Sequence, residues 1–237
     1  MKAETSSTPA DSVNRDGGCV LDPFEIRVLA VLAEKEALLP DSYPLSVNAI
    51  TNGCNQLSSR DPVMSVSEET VQDVLHRLIE KKLVAEISQA GARVAKYEHR
   101  MRIKWSLEQG KLAILAMLML RGIQTAGEIR TRCGRMHEFA TVTEVDAGLQ
   151  FLIDKYPPLV ARLARTPGTK EPRYAHLLSG EDILEHQEIA SVFSPGSSAP
   201  KLPSQDRLAQ LEEEVVRLRA TLDQLAQQFA DFKKQFE

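Results

Sequence analysis

The sequence predicts a mostly α protein with small β-hairpins, built as two tandem winged-helix domains followed by a C-terminal coiled-coil helix. Three observations carry this expectation. The order helix, helix, helix, hairpin can be read twice along the chain. The two readings align in their third helices, where Val71, Leu75, Leu78 and Ile79 fall onto Val145, Leu149, Leu152 and Ile153. Near the C-terminus, apolar residues recur at spacings that alternate between three and four, the signature of a heptad seam. A repeated supersecondary order argues for two copies of one unit.

The first helix is expected to open at Asp22-Pro23. An aspartate can accept bonds from the free N–H groups of a helix start, and proline suits the first helical position. Phe24, Ile26, Val28, Leu29, Leu32 and Ala33 support it to about Leu38. Ser46 opens a second helix that reaches about Asn55. Ser65-Val66-Ser67-Glu68 reads as a capping box for a third helix whose apolar face is Val71, Val74, Leu75, Leu78 and Ile79. Strands at Leu83–Ser88 and from Val94 to about Met101 then flank a turn at Gln89-Ala90-Gly91-Ala92.

The second unit repeats the pattern. Leu107–Leu120 reads as a helix closed by Gly122, a natural C-terminal cap. Its apolar run is half the length a membrane span needs and marks a buried helix. Thr125-Ala126-Gly127-Glu128 is a capping box for a helix to about Arg135, and Thr141-Val142-Thr143-Glu144 opens the third. Strands Leu159–Ala164 and Arg173–Leu178 enclose a turn at Thr166-Pro167-Gly168-Thr169. Tyr97 and Tyr174 hold similar places in the second strand of each hairpin.

The expected boundaries are a disordered segment 1–21, winged-helix domains at 22–104 and 105–179, a short acidic helix with a Ser/Pro linker at 180–204, and a coiled-coil helix at 205–237. The seam of that helix is Leu208, Leu211, Val215, Leu218, Leu222, Leu225, Phe229, Phe232 and Phe236. With Leu208 at position a, Arg207 faces Glu212 and Glu214 faces Arg219 across a parallel dimer. Both pairs attract, and exposed pairs of this kind set orientation more than strength.

Bulk composition narrows the function classes. The chain has 237 residues, 43% hydrophobic and 26% charged, with a net charge of −4. Residues 105–179 carry +3 and residues 180–237 carry −5, so a chain-wide polyanion-binding signature is absent. No signal-peptide core stands at the N-terminus, and the expected location is cytoplasmic, away from membranes. Cys19, Cys54 and Cys133 are odd in number and lack CxxC spacing, which points to free thiols. Cys133 and His137 are four apart, but two ligands do not make a zinc site. Met117 and Met119 read as core filling, and Glu34-Lys35-Glu36 as a surface salt-bridge cluster. No nucleophile, base and oxyanion site assemble. The expectation is a non-enzymatic protein without metal or cofactor.

The chain resembles the uncharacterised bacterial YceH-like family over about residues 22–178. The resemblance rests on Ala33-Glu34-Lys35-Glu36, Tyr43-Pro44-Leu45-Ser46-Val47-Asn48-Ala49, Cys54-Asn55-Gln56, Arg60-Asp61-Pro62-Val63-Met64, Lys96-Tyr97-Glu98-His99-Arg100, Leu120-Arg121-Gly122, Arg135-Met136-His137, Pro157-Pro158-Leu159-Val160 and Glu171-Pro172-Arg173-Tyr174-Ala175-His176-Leu177-Leu178. It implies tandem winged-helix domains and no known enzymatic activity. It supplies no active-site residues.

Two functional expectations follow. In the first, the protein is a DNA-associated regulator that acts as a dimer. Winged helices commonly place the third helix in the major groove. Here those helices expose Glu68, Glu69, Gln72, Asp73, His76, Arg77, Glu80 and Lys81, then Glu144, Asp146, Gln150 and Asp154, a poor set for reading bases or meeting phosphates. Backbone contacts would instead come from Lys96, Arg100, Arg102 and Lys104, which share one side if the chain runs extended. Arg130, Arg132 and Arg135 on a helix, with Lys170 and Arg173 near the second hairpin, would add to them. In the alternative, the winged-helix surfaces are a protein-interaction scaffold without DNA binding. The long connection Leu57–Met64, which exceeds a tight helix-turn-helix turn, favours that alternative.

Overall fold

Asp22 fixes the start of helix α1 (Pro23–Leu38). Its carboxylate accepts from the N–H groups of Phe24 and Glu25, while the Glu25 side chain accepts in return from the Asp22 N–H. The computed structural model describes residues 20–87, 94–163 and 171–180. The chain divides into two units, Met1–Ser191 and Val192–Glu237, and every described residue belongs to the first. The expected hairpin turns, acidic helix, Ser/Pro linker and heptad seam lie outside the described residues.

After α1 come α2 (Val47–Cys54), α3 (Glu68–Glu80) and the antiparallel strands β1 (Val84–Ile87) and β2 (Lys96–His99). A short helix α4 (Met101–Trp105) follows, then α5 (Gln109–Arg121). The two-residue strand β3 (Gln124–Thr125), helices α6 (Ala126–Cys133) and α7 (Val142–Ile153), and strands β4 (Val160–Arg162) and β5 (Arg173–His176) complete the order. The fold is mostly α with small antiparallel hairpins, an arrangement consistent with a winged-helix-like fold.

Local chemistry explains most of these elements. Thr125 opens α6 with the full capping box, its hydroxyl accepting from Glu128 N–H and the Glu128 carboxylate accepting from Thr125 N–H. Thr141 caps α7 through Glu144 N–H. Gly122 ends α5 at a φ of 69°, where a Cβ would strain the backbone. α3 starts two residues later than the serine pair suggests, with Ser67 as its cap. The Asn55 side chain bonds both the N–H and the carbonyl of Val66, which holds that residue extended and delays the helix.

The largest correction lies at Met101. The alternation Tyr97, His99, Met101, Ile103 reads as one strand, but β2 ends at His99 and the chain turns helical at Met101. Met101 is buried and Ile103 is 72% exposed, so the expected two-faced strand does not continue. A second difference is a third strand position in each half. Leu45 bridges Tyr97, and Gln124 pairs with Tyr174 in the sheet order β3-β5-β4. Both tyrosines are buried.

One continuous core runs through both halves. α1 and α5 pack against each other along their length, burying Val28 to Ala33 and Leu112 to Leu120. Leu21, expected in the N-terminal segment, is buried in this core and donates its N–H to the Leu178 carbonyl at 2.8 Å. Met117 and Met119 fill the core as expected, and Cys54 and Cys133 are free, buried thiols.

Candidate interaction surfaces

The exposed side of α3 is acidic. Glu68, Glu69, Gln72, Asp73, His76 and Glu80 all face solvent. The two basic residues expected beside them are drawn away. Arg77 bonds Asp22 at 2.7 Å and Glu25 at 3.4 Å, and Lys81 bonds Glu25 at 2.8 Å. Glu25 is 1% exposed, so α3 spends its cations on a buried carboxylate of α1. α7 likewise exposes Glu144, Asp146, Gln150 and Asp154. Two acidic faces repel a phosphate backbone and attract basic groups.

The basic residues divide into two sets. Arg102 sits on α4 with its guanidinium on Glu36 at 2.8 Å and on Gln109. Arg100 pairs with Glu98 at 2.8 Å. Arg130 donates to the carbonyls of Phe139 and Ala140 and so ties down the chain between α6 and α7. Arg132 donates to Gln124 Oε1 and lies beside Glu128. Lys96, Lys104, Arg135 and Arg173 are exposed, and each makes no ion pair or side-chain hydrogen bond among the described residues. Lys170 lies outside the described residues. The stripe from Lys96 to Lys104 is therefore not one extended face, because its second half is helical.

Two networks, one buried and one half-buried, escape the sequence reading. Glu34 and Glu36 are not a surface cluster. Arg60, on the connection between α2 and α3, donates to both Glu34 oxygens and to the carbonyl of Gly53. Burial pushes the Glu34 carboxyl up, yet the bonds and charge of Arg60 outweigh it and hold it below the usual carboxylate value. Nearby, Arg27 is 2% exposed and donates to the carbonyls of Cys54 and Pro62. Asp61 N–H donates to the Leu120 carbonyl, and Arg121 bonds Ser59 Oγ at 2.5 Å. The long connection is thus a fixed strut between the halves.

The second network centres on Glu36. His99 Nδ1 accepts from Met101 N–H at 3.3 Å, which leaves Nε2 to donate to Glu36 Oε2 at 3.2 Å. The hydrogen bond from His99 holds the Glu36 carboxyl down to about 2 against the cost of burial, with Arg102 adding to it. Gln109 carries the chain of bonds onward to the Met136 carbonyl. These partners come from both halves and hold each other.

Among the described residues, no group of three His, Cys, Asp or Glu side chains has the geometry to hold a metal ion. Cys133 donates its thiol to the Ala113 carbonyl at 3.5 Å, and burial pushes its pKa up to about 12, so it is a poor thiolate ligand. Among the same residues, no helix is long and apolar enough to cross a membrane.

The family model described as "Protein of unknown function, DUF480" matches residues 21–169, which spans both halves of this core. The chain belongs to the DUF480 family. It is 62% identical over 237 residues to a UPF0502 protein of Janthinobacterium sp. (strain Marseille), covering all of both chains. It is 60% identical over 233 residues to a UPF0502 protein of Herminiimonas arsenicoxydans, covering 98% of this chain and 97% of that one. A UPF0502 protein of Pelobacter propionicus is 46% identical over 218 residues. The DUF480 match takes in the buried Arg60–Glu34 pair, the Glu36 network and the acidic face of α3.

Proposed function

We propose that this DUF480 protein is a non-enzymatic regulatory protein of two tandem winged-helix domains, and that it works by docking a protein partner on its acidic α3 face. The carrying observation is the pairing of Arg77 and Lys81 with Asp22 and Glu25. It strips the exposed face of α3 of cations and leaves Glu68, Glu69, Asp73 and Glu80 in water. A partner surface rich in lysine or arginine matches that face by electrostatic complementarity. The heptad seam from Leu208 to Phe236 supplies a parallel dimer in the same reading, so that two such faces are presented together.

The test is affinity capture from cells that naturally make the protein, using the full chain and an E69K/D73K variant. A partner retained by the wild type and lost with the variant supports the reading. Retention of a generic DNA duplex by the wild type at physiological salt overturns it. A DNA-associated regulator is the second reading, favoured by Lys96, Lys104, Arg135 and Arg173, which are exposed and unengaged among the described residues. Such contacts would go to phosphates, so affinity would fall steeply with salt. Fluorescence anisotropy with a duplex at low salt separates the two.

A further inference from the structure

The two halves contain the same crevice, closed in one and open in the other. In the first half it lies between α1 and α3 and is lined by Phe24, Arg27, Val28, Thr70 and Val74, with a volume of about 10 Å³. In the second half it lies between α5 and α7 and holds about 610 Å³. Aligning the helix caps Asp22 and Glu108 places Phe24 on Gly110, Arg27 on Ala113 and Val28 on Ile114. The third-helix alignment places Thr70 on Glu144, Val74 on Gly148 and Arg77 on Phe151. Gly110, Ile114, Glu144 and Gly148 all line the open cleft, so the correspondence holds in space as well as in sequence. Phe24 and Val74, which line the closed crevice, correspond to the glycines Gly110 and Gly148 of the open one. Ile114, His137 and Phe139 settle against the two glycines, and the remaining volume stays open.

The charges have changed with the size. In the first half Glu25 gathers Arg77 and Lys81. In the second half its counterpart is Lys111, and the counterparts of Arg77 and Lys81 are Phe151 and Lys155. Lys111 and Lys155 both lie over the Phe151 ring, 4.2 Å and 4.9 Å from its centre. Of the two carboxylates that hold Arg77 and Lys81 in the first half, Glu25 corresponds to Lys111 and Asp22 to Glu108. Among the described residues, the ion-pair partner of Lys111 is Glu108, whose side chain is 81% exposed, at 2.8 Å. The Glu144 carboxylate is already taken by the Ala140 N–H. His137 and Phe139 form an edge-on aromatic pair and line the cleft together with Phe151.

We propose that the cleft between α5 and α7 binds a small aromatic carboxylate, its ring among Phe139, His137 and Phe151 and its carboxylate on Lys111. The volume is that of an ordinary small-molecule site. Aromatic walls favour a flat apolar ligand through edge and offset stacking. A ligand carboxylate replaces Glu108 as the partner of Lys111.

The test uses the full chain and 2-naphthoate, followed by the probe's own fluorescence anisotropy, with 2-naphthalenemethanol as the neutral control. Saturable binding is expected with Kd between roughly 1 μM and 1 mM. The neutral alcohol and Lys111→Glu should each weaken it by about tenfold or more, as expected when one partner of a charge pair is removed. Ala147→Trp, at an exposed position on the cleft wall, should abolish it. Glu108→Gln should tighten binding by removing the competing carboxylate, a gain that a misfolded chain cannot produce. Absence of saturable binding overturns the proposal. So does equal binding of acid and alcohol, or binding that survives both Lys111→Glu and Ala147→Trp in chains whose thermal unfolding matches the wild type.

Discussion

The guanidinium of Arg60 lies 2.6 Å from the carboxylate of Glu34, with the arginine side chain wholly buried and the glutamate side chain 10% exposed. Removing Arg60 leaves the Glu34 carboxylate in the core with Lys35, 3.1 Å away, in place of a two-bond guanidinium partner. Arg60→Met is expected to cost roughly 3–5 kcal/mol. The double variant Glu34→Gln with Arg60→Met should recover part of that loss, because no Glu34 carboxylate then remains in the core. Urea denaturation of the full chain measures both. A single-variant cost under about 1 kcal/mol would show that Lys35 alone is partner enough for Glu34.

Glu36 gives a pH dependence with a definite sign. Its folded-state pKa is held down to about 2 from an ordinary 4.5, first by the hydrogen bond from His99. The folded state therefore favours the ionised form. That stabilisation is complete above about pH 4.5 and is lost as the pH falls toward about 2. Glu36→Gln should lower stability at neutral pH and flatten the acid limb across that window. Thermal unfolding followed from pH 6 to pH 2 reads the slope. An unchanged slope would remove Glu36 from the acid response.

Much of this architecture was legible because caps and apolar periods are local. Asp22, Ser46, Thr125 and Thr141 all open helices as their sequence context implies. What was not legible depends on partners distant in sequence. Glu34 and Glu36 look like a solvated pair until Arg60 and His99 come to them from other elements. The stretch from Tyr97 to Ile103 keeps a strand-like alternation, and its turn into α4 is accompanied by the bond from Met101 N–H to His99 Nδ1 and by the bonding of Arg102 to Glu36 and Gln109. The acidic face of α3 was legible residue by residue. The withdrawal of Arg77 and Lys81 from it was not, because their partner Glu25 lies more than 50 residues earlier in the chain.

Gly148 and Ile114 form a tight internal joint. A Cβ on Gly148 would stand 2.5 Å from Ile114 Cδ1. Gly148→Ala thus forces Ile114 out of its present rotamer or moves α7 away from α5. A cost of roughly 1–3 kcal/mol is expected from overpacking. Ile114→Val removes the clashing methyl, so the double variant should cost less than the two single changes summed. Additive losses in chemical denaturation would mean that α7 yields as a whole and that Ile114 is not the obstacle.

The two sets of basic residues should separate cleanly in experiment. Arg102 and Arg130 hold the fold together, the first on Glu36 and the second on the carbonyls of Phe139 and Ala140. Arg102→Ala is expected to cost roughly 1.5–3 kcal/mol, because its bonds go to a charged acceptor, and Arg130→Ala about 1 kcal/mol. Lys104→Ala and Arg135→Ala, at exposed positions without partners among the described residues, should stay within about 0.5 kcal/mol of the wild type. The same four variants also sort any DNA affinity found at low salt. Deleting a cation that meets a phosphate lowers the salt slope by about one. If Lys104→Ala and Arg135→Ala change neither stability nor that slope, the basic surface does not engage nucleic acid, and the acidic face of α3 stands as the surface to which partners must be matched.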